Sequence, residues 1–337
     1  MLRVADPEGR YAAVRLASDL HLSEAERSFA RVAGGWVLDL RPRDVQRLEY
    51  ELELVGADGD VEHALDPANP HRAPGASGER SVLLLPGYRP PAWLDAPAAE
   101  GRFDELSVRG RGLGASVEIR VWSPADDGER PLRLLLAHDG PAYDDLASLT
   151  RYCAVQIAAG ELPPFRVALL APGDRDEWYS ASQVYGRVLA NDVIPALRDA
   201  FGTVGAPVGM GASLGALAML HAHRSFPRSL GGLFLQSGSF FTPRLDPQEW
   251  RFPRFARIVR FVRGMERNAQ YAMPVPVTMT VGTAEENAAN NRQMAHVLGE
   301  QGYEVDLEEV PDMHNYTGWR DALDPHLGGL LRRAWLR

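Results

Sequence analysis

The sequence predicts an α/β fold in which a mostly parallel, doubly wound sheet follows a small β-sandwich domain. The chain has 337 residues, which is more than a single hydrophobic core usually serves, so we expect two domains. Short strands with turn signals fill the first part of the chain, whereas apolar strand-like runs alternate with helical segments afterwards. We therefore predict a β-sandwich over residues 1–100 and an α/β domain over residues 101–337.

The first domain is predicted from strand and turn patterns. Gly34 and Gly35 precede WVLDL, and LEYELELV alternates apolar and charged residues before a turn at Asp58 and Gly59. Such alternation is typical of a strand with one face in the core and one face in solvent. The Pro- and Ala-rich segment 88–101 then predicts either an interdomain linker or a crossing that is strapped to the surface.

Five short, almost wholly apolar runs indicate the parallel strands of the second domain, because strands covered by helices on both faces are buried throughout. These runs are LRLLLAHDG, FRVALLAPGD, VGMGAS, GGLFLQSGS and PVTMTVG. Helical periodicity fills segments near residues 180–200, 213–225, 286–301 and 318–336. Strands that alternate with helices in this way predict a doubly wound sheet.

The composition argues against several functional classes. The formal net charge is −9, whereas a nucleic-acid-binding protein needs a clustered basic surface. Cys153 is the only cysteine, which excludes an intrachain disulfide and a thiolate metal site. The opening segment MLRVADPEGRYAAVRLASDL has the features of neither a signal peptide nor a transit peptide, and no segment has the length needed to span a bilayer. We expect a cytoplasmic protein that needs no metal and no organic cofactor.

A G-x-S-x-G motif occupies Gly211–Gly215, directly after a predicted strand and directly before the helical segment LGALAMLHAHRSF. In this context the motif indicates a nucleophile elbow, the sharp turn of α/β-hydrolases that presents a serine above the sheet. Glycines are needed there because side chains two residues before and after the serine would collide. We therefore predict Ser213 as the nucleophile and the N–H of Leu214, at a helix start, as an oxyanion donor.

Candidate partners of Ser213 follow later strands in the order that α/β-hydrolases use, which is nucleophile, acid and then histidine. Glu285 and Glu286 follow PVTMTVG, and His314 follows the strand-like segment YEVDLEEV. Both loops are expected at the carboxyl ends of strands, where open α/β sheets place their sites. His314 would accept the serine proton, and a carboxylate would orient the imidazole. His138, at another strand end, is expected to line the pocket without acting as the base.

These residues resemble the enterochelin (enterobactin) esterase family, which are hydrolases of ferric catecholate siderophores within the esterase-D-like group of α/β-hydrolases. The resemblance covers nearly the whole chain. In the N-terminal part it rests on GGWVLDL, LEYELELV, DPANP and SVLLLPGYRPPAWL, which are similar to that family's immunoglobulin-like domain. In the catalytic part it rests on LLLAHDGPAYD, APGDRDEWYS, GMGASLGALAML, LQSGSFF and MHNYTGWRDAL.

The resemblance implies Ser213 as the nucleophile, His314 as the base and an acid at Glu285 or Glu286. We prefer Glu285, which lies three residues past the strand-ending Gly282. The chain departs from the family just before the histidine, where Asp312 and Met313 stand in place of two glycines that the family often has. We expect this departure to affect the shape of the pocket more than the catalysis.

The resemblance also implies which residues surround the substrate. The turn His138-Asp139-Gly140 matches the family's oxyanion loop. Because Pro141, which follows it, has no N–H, the second donor is expected at Gly140, Ala142 or a neighbour, and we choose Gly140. His138 and Asp139 would then contact the substrate. Arg175 and Trp178, in APGDRDEWYS, would lie beside it, since a guanidinium binds a carboxylate or catecholate in a bidentate way. The alternative for Arg175 is an ion pair with Asp174, Asp176 or Glu177.

We predict a serine hydrolase of carboxylic esters, with a ferric siderophore ester as the expected small-molecule substrate and any iron arriving as part of it. Two alternatives stay open. A general carboxylesterase or an acyltransferase would use the same triad, and a low-turnover binding module would use the sandwich domain to recognise a polymer or a protein. Neither nucleic acid nor a membrane is expected as a partner, and the sequence leaves the oligomeric state open.

The segment from Arg244 to Pro274 predicts a basic amphipathic helix, because arginines at positions 251, 254, 257, 260 and 263 are interleaved with apolar residues. One interpretation is the solvated face of a surface helix. The other is a positive lid that attracts anionic ligands.

Overall fold

The computed structural model describes residues 1–20, 22–40, 44–76, 78–126, 130–267 and 273–336. Contacts within the chain divide it into two compact units. The N-terminal unit comprises Met1–Arg89, Gly282–Glu285 and Val310–Gly318, and the second unit comprises Pro90–Val281, Glu286–Glu309 and Trp319–Arg337. The N-terminal unit therefore ends before the expected boundary at residue 100, and it takes in two short segments from the C-terminal half of the sequence.

The described residues of Met1–Arg89 form antiparallel strands and one short helix. They are β1 (Leu2–Ala5), β2 (Tyr11–Ala17), α1 (Glu24–Arg27), β3 (Ala30–Val32), β4 (Gly35–Leu38), β5 (Arg47–Gly56), β6 (Val61–Ala64), β7 (Arg72–Ala73) and β8 (Arg80–Leu84). One sheet has the order β1-β4-β3, and the other has the order β2-β5-β8-β7 with β6 paired to β5. Leu16, Trp36 and Tyr50, which come from both sheets, share one apolar core. The predicted β-sandwich is confirmed.

Strand β5 is buried differently along its length. From Glu51 onwards, half-buried and buried residues alternate, as expected for a strand with one wet face. In the first half of the strand both faces are buried, including the charged side chains of Arg47 and Glu49. Arg47 contacts Asp312, which lies in the segment 310–318 of the same unit. Contacts with this segment bury the charged side chains in the first half of β5.

The second unit is built on a mixed sheet. Its strands are β9 (Gly101–Arg109), β10 (Ser116–Pro124), β11 (Arg133–Ala137), β12 (Phe165–Leu170), β13 (Val208–Ala212), β14 (Gly232–Gln236), β15 (Val277–Gly282) and β16 (Val305–Val310). Within the described residues they pair in the order β16-β15-β14-β13-β11-β12-β10-β9. The five apolar runs form β11 to β15 and are parallel, as predicted. Strands β9 and β10, which the sequence analysis did not identify, form an antiparallel edge.

Helices connect these strands. They are α2 (Gly140–Ala147), α3 (Leu149–Ala158), α4 (Arg175–Tyr179), α5 (Gln183–Val188), α6 (Ile194–Phe201), α7 (Leu214–Ser225), α8 (Phe255–Arg267), α9 (Ala288–Glu300), α10 (Tyr316–Asp321) and α11 (His326–Trp335). A π-helical turn at Leu189–Val193 joins α5 to α6, so the predicted helix near 180–200 is one continuous helical stretch. The predicted helix 318–336 is instead two helices, separated by a turn that contains Pro325.

The Pro- and Ala-rich segment is a strapped crossing from residue 90 onwards. Trp93 is buried, and its ring packs edge-on against Tyr152 of α3 with 5.3 Å between the ring centroids. Arg151 donates hydrogen bonds to the carbonyl oxygens of Leu94 and Ala96 at 2.8 and 2.9 Å. These contacts explain why the second unit begins at Pro90.

Across the described ranges, every helix is too short or too polar to cross a membrane.

Candidate active site

The G-x-S-x-G motif forms a sharp turn between β13 and α7. Ser213 has φ 56° and ψ −125°, a conformation that L-residues rarely adopt. A Cβ atom on Gly211 would lie 2.5 Å from the carbonyl carbon of Gly215, and one on Gly215 would lie 3.2 Å from Cβ of His138. The close approach of strand end and helix start therefore requires glycine at Gly211 and favours it at Gly215, as the motif predicts.

Backbone hydrogen bonds hold the strained serine. Its N–H donates to the carbonyl of Gln236 at 2.9 Å, and its carbonyl accepts from the N–H of Ser239 at 3.1 Å. The Ser213 hydroxyl is half-buried and lies 3.1 Å from the Ser239 hydroxyl. Leu214 is the first residue of α7, so its N–H has no acceptor within the helix and is available to an oxyanion.

The N-terminal unit brings His314 and Glu285 together. Nδ1 of His314 lies 2.6 Å from Oε2 of Glu285. The glutamate side chain is almost fully buried and the imidazole is one-third exposed. The other glutamate oxygen accepts a hydrogen bond from the N–H of Gly282. With Nδ1–H donating to the carboxylate, Nε2 is the nitrogen that can accept a proton.

The neighbouring glutamate points elsewhere. Glu286 is exposed and accepts a hydrogen bond from the side chain of Gln248 at 3.1 Å. The structure therefore pairs the imidazole with Glu285, the preferred of the two candidate acids, and not with Glu286.

His138 does not offer a nitrogen to a substrate, which corrects the expectation that it lines the pocket. It is fully buried, with Nδ1 2.9 Å from the Gly215 carbonyl and Nε2 2.9 Å from the Tyr185 hydroxyl. Burial lowers the pKa of His138 to about 4, so the ring is neutral at pH 7. Since a carbonyl only accepts, Nδ1 is the donor and Nε2 accepts from the tyrosine. The ring thus links the turn His138-Asp139-Gly140 to the elbow.

The turn His138-Asp139-Gly140, which the sequence analysis predicts as the oxyanion loop, fits close to β12. Asp139 has φ 50°, and a Cβ on Gly140 would lie 2.2 Å from Cα of Leu169. Only glycine allows this approach. Gly140 is the first residue of α2 and Pro141 is the second. The N–H of Gly140 therefore has no acceptor within the helix, which is what a donor to an oxyanion requires.

The predicted substrate-binding residues contact one another or are buried. Arg175 forms a bidentate ion pair with Asp139, with N–O distances of 2.8 to 3.1 Å. Arg175 is therefore in an ion pair, as the alternative interpretation expected, but its partner is Asp139 and not Asp174, Asp176 or Glu177. Trp178 is buried and stacks on Tyr185 with 5.5 Å between ring centroids. A substrate role for Asp139, Arg175 and Trp178 stays a prediction.

Residues 255–267 of the arginine-rich segment form α8, as predicted, whereas Arg251 lies in a 3-10 turn and Arg254 precedes the helix. Residues 268–272 of the predicted helix lie outside the described residues. The arginines differ in their surroundings. Arg254 and Arg257 each lie 2.6 Å from the carboxylate of Glu177, and hydrogen bonds from Arg257 lower the pKa of that carboxyl. Arg260 and Arg263 are exposed and line a shallow groove. Two of the arginines expected to form a positive lid are therefore occupied by a carboxylate.

Sequence reasoning missed Ser239 as a neighbour of Ser213. The residue was visible in LQSGSFF, but its proximity follows from the pairing of β13 with β14, which places the turns after both strands side by side. Within the described part of the chain, no group of three or more His, Cys, Asp or Glu side chains is arranged to hold a metal ion.

The sheet order and the elbow define an α/β-hydrolase fold. The model of the Esterase family, described as "Putative esterase", matches residues 110–330. The chain therefore belongs to this family, and it is a hydrolase of carboxylic esters.

Solved structures similar to this chain are esterases of the same fold. The enterobactin esterase of Shigella flexneri, crystallised in the presence of enterobactin, is 18% identical with a TM-score of 0.78, and covers 98% of this chain and 92% of its own. The ferric enterobactin esterase of Salmonella typhimurium is 17% identical with a TM-score of 0.77, covering 98% and 93%. The feruloyl esterase module of Clostridium thermocellum is 14% identical with a TM-score of 0.53, covering 73% and 94%. No curated protein sequence matches.

The close approach at the elbow predicts a strong effect of Gly211→Ala. The added methyl group would meet the backbone of Gly215, so the turn must shift, and a shift of about 1 Å costs on the order of a hundredfold in rate. We expect hydrolysis of an aryl acetate to fall by at least that factor and Tm to fall with it. Gly299→Ala on α9, where no atom lies within 4 Å of the new methyl, is the control. Unchanged hydrolysis by Gly211→Ala would contradict the elbow.

Proposed function

We propose that Ser213, His314 and Glu285 act as a catalytic triad in ester hydrolysis. The observation that carries the proposal is the 2.6 Å hydrogen bond between His314 and Glu285, because a buried carboxylate on Nδ1 is how general bases of such triads are oriented. The strained backbone of Ser213 supports its role, since such conformations concentrate at reactive residues. The three residues also follow β13, β15 and β16 in the order of α/β-hydrolase triads.

In the proposed reaction, Nε2 of His314 accepts the hydroxyl proton as Ser213 attacks the ester carbonyl. Glu285 then stabilises the imidazolium, and the proton passes to the leaving alcohol as the acyl-enzyme forms. A water molecule, activated by the same nitrogen, hydrolyses the acyl-enzyme and releases the carboxylic acid. The N–H groups of Leu214 and Gly140 would bind the oxyanion in both steps, and each such donor typically contributes about a hundred- to a thousandfold in rate.

The nucleophile is tested by substitution and by labelling. Ser213→Ala should retain less than about a thousandth of the wild-type activity on any ester, as expected for the loss of a triad nucleophile, with an unchanged Tm. A fluorophosphonate should label the wild-type protein on the peptide that contains Ser213. Ser229→Ala, a half-buried serine away from the elbow, serves as the control. Labelling of another serine, or an active Ser213→Ala variant, would refute the assignment.

The acid is tested by two adjacent substitutions. Glu285→Gln removes the charge beside His314, and in related triads such a change costs up to about four decades in turnover. Glu286→Gln is the matched control, because Glu286 is exposed and contacts Gln248, and we expect kcat close to wild type. Similar small losses in both variants would mean that the reaction uses a serine and a histidine without this acid.

We further propose a catecholate siderophore ester as the substrate. Support comes from two neighbours that are enterobactin esterases and that match this chain over nearly its whole length. A general carboxylesterase and an acyltransferase would contain the same residues. The three possibilities therefore differ only in the ester that is preferred and in whether water or an alcohol accepts the acyl group. A cytoplasmic location, expected from the sequence, is part of this proposal.

A substrate screen separates these possibilities. Ferric and iron-free enterobactin, short-chain aryl esters and a feruloyl ester are compared by kcat/KM, with Ser213→Ala as the blank. We expect at least about a tenfold preference, or 1.4 kcal/mol, for the catecholate esters. A preference for short aryl esters would indicate a general carboxylesterase. Transfer of the acyl group to an added alcohol in place of water would indicate an acyltransferase, and labelling without turnover would indicate a binding module.

A further inference from the structure

A buried ion-pair network lies in the N-terminal unit beside the histidine loop. The side chain of Arg47, on β5, is only 2% exposed. Its guanidinium contacts Asp312 in a bidentate way, at 2.9 and 3.1 Å, and Glu49 at 2.7 Å. A third contact joins Nη2 to the side-chain oxygen of Asn315 at 2.5 Å. An arginine with this planar fork fixes the geometry of the groups that it binds.

Two partners of Arg47 flank His314 in the sequence. Asp312 lies two residues before it, and Asn315 lies one residue after it. Asp312 also accepts a hydrogen bond from the N–H of Met313 at 2.7 Å. Asn315 donates to Asp312 at 3.0 Å and accepts from the N–H of Gly318 at 2.8 Å. The backbone that carries the imidazole is therefore tied, before and after, to one guanidinium.

Other contacts of the N-terminal unit hold the same two loops. The N–H of Gln46 donates to the carbonyl of Pro311 at 2.8 Å, and Met313 is buried in the apolar core of the β-sandwich. In the acid loop, the hydroxyl of Thr283 donates to the carbonyl of Asp44. The residues next to Arg47 in sequence thus hold both the loop of Glu285 and the loop of His314.

We infer that Arg47 is a positioning residue for the hydrolysis, which acts through Asp312 and Asn315 to keep His314 in its hydrogen bond with Glu285. The inference rests on the proposed triad. On this inference the N-terminal unit takes part in catalysis, because Arg47, which positions His314, lies on strand β5 of the β-sandwich. A displacement of the imidazole by about 1 Å would lower the rate on the order of a hundredfold.

The test uses variants of the full chain. Arg47→Lys keeps the positive charge but loses the planar guanidinium that contacts Asp312 in a bidentate way. Asn315→Ala removes one hydrogen-bond partner of Arg47 without leaving a buried charge unpaired. Arg47→Met is less informative, because it leaves Asp312 as an unpaired buried carboxylate and destabilises the fold. Arg15→Met is the matched control, since Arg15 lies on the adjacent strand β2, is paired with Glu53 of β5 and is one-third exposed.

Two readouts are measured on each folded variant. The first is the low-field proton NMR resonance of His314 Nδ1–H, assigned by its loss in Glu285→Gln. The second is kcat and KM on an aryl acetate. For Arg47→Lys and Asn315→Ala we expect a shifted or exchange-broadened resonance and a ten- to hundredfold lower kcat at nearly constant KM, on the order that a misplaced catalytic group costs. Arg15→Met should leave both readouts at wild-type values.

The outcomes separate this inference from the proposed triad. If Arg47→Lys and Asn315→Ala keep the wild-type resonance and kcat while Tm falls, Arg47 only stabilises the fold and the inference is overturned. If the resonance changes but Ser213→Ala still hydrolyses esters, Arg47 positions the imidazole and the triad assignment fails.

Discussion

The strained turn at Ser213 is the constraint on which the second unit is built. A positive φ at a residue other than glycine costs on the order of 1–3 kcal/mol, so neighbouring groups must hold it. The serine N–H and carbonyl are both bonded to residues at or beyond the end of β14, namely Gln236 and Ser239. His138 binds the carbonyl of Gly215 on the other side of the turn. The elbow, the turn His138-Asp139-Gly140 and the turn after β14 are therefore joined by hydrogen bonds.

Burial explains why two histidines that both follow strands differ in chemistry. His138 is wholly buried, both of its nitrogens are occupied, and burial lowers its pKa to about 4. It can hold the turn but cannot take a proton near neutral pH. His314 is one-third exposed and has a buried carboxylate on one nitrogen. An imidazole that is oriented by a carboxylate and partly exposed is suited to general-base catalysis.

The sequence predicted most of what depends on local pattern. The parallel strands β11 to β15 and the elbow at Ser213 have signals within a few residues, and the structure contains them. What depends on distant pairing could not be predicted. The expected effect of Asp312 and Met313 on the shape of the pocket stays a prediction. The structure adds contacts that the sequence pattern does not signal, because Asp312 binds Arg47, 265 residues away in sequence, and Met313 packs in the core of the sandwich.

The same contacts bear on the idea that the β-sandwich is an independent binding module. Such a module would close its own core and bury its own charges. Here the core includes Met313, and Arg47 would be a buried cation lacking its bidentate partner without Asp312. Leaving one member of a buried ion pair alone is costly, so the sandwich depends on residues that the catalytic half of the sequence supplies. The loops of Glu285 and His314 depend in turn on Asp44, Gln46 and Arg47. The N-terminal unit thus contains the loops of Glu285 and His314, which favours a single enzyme over a hydrolase with a detachable recognition domain.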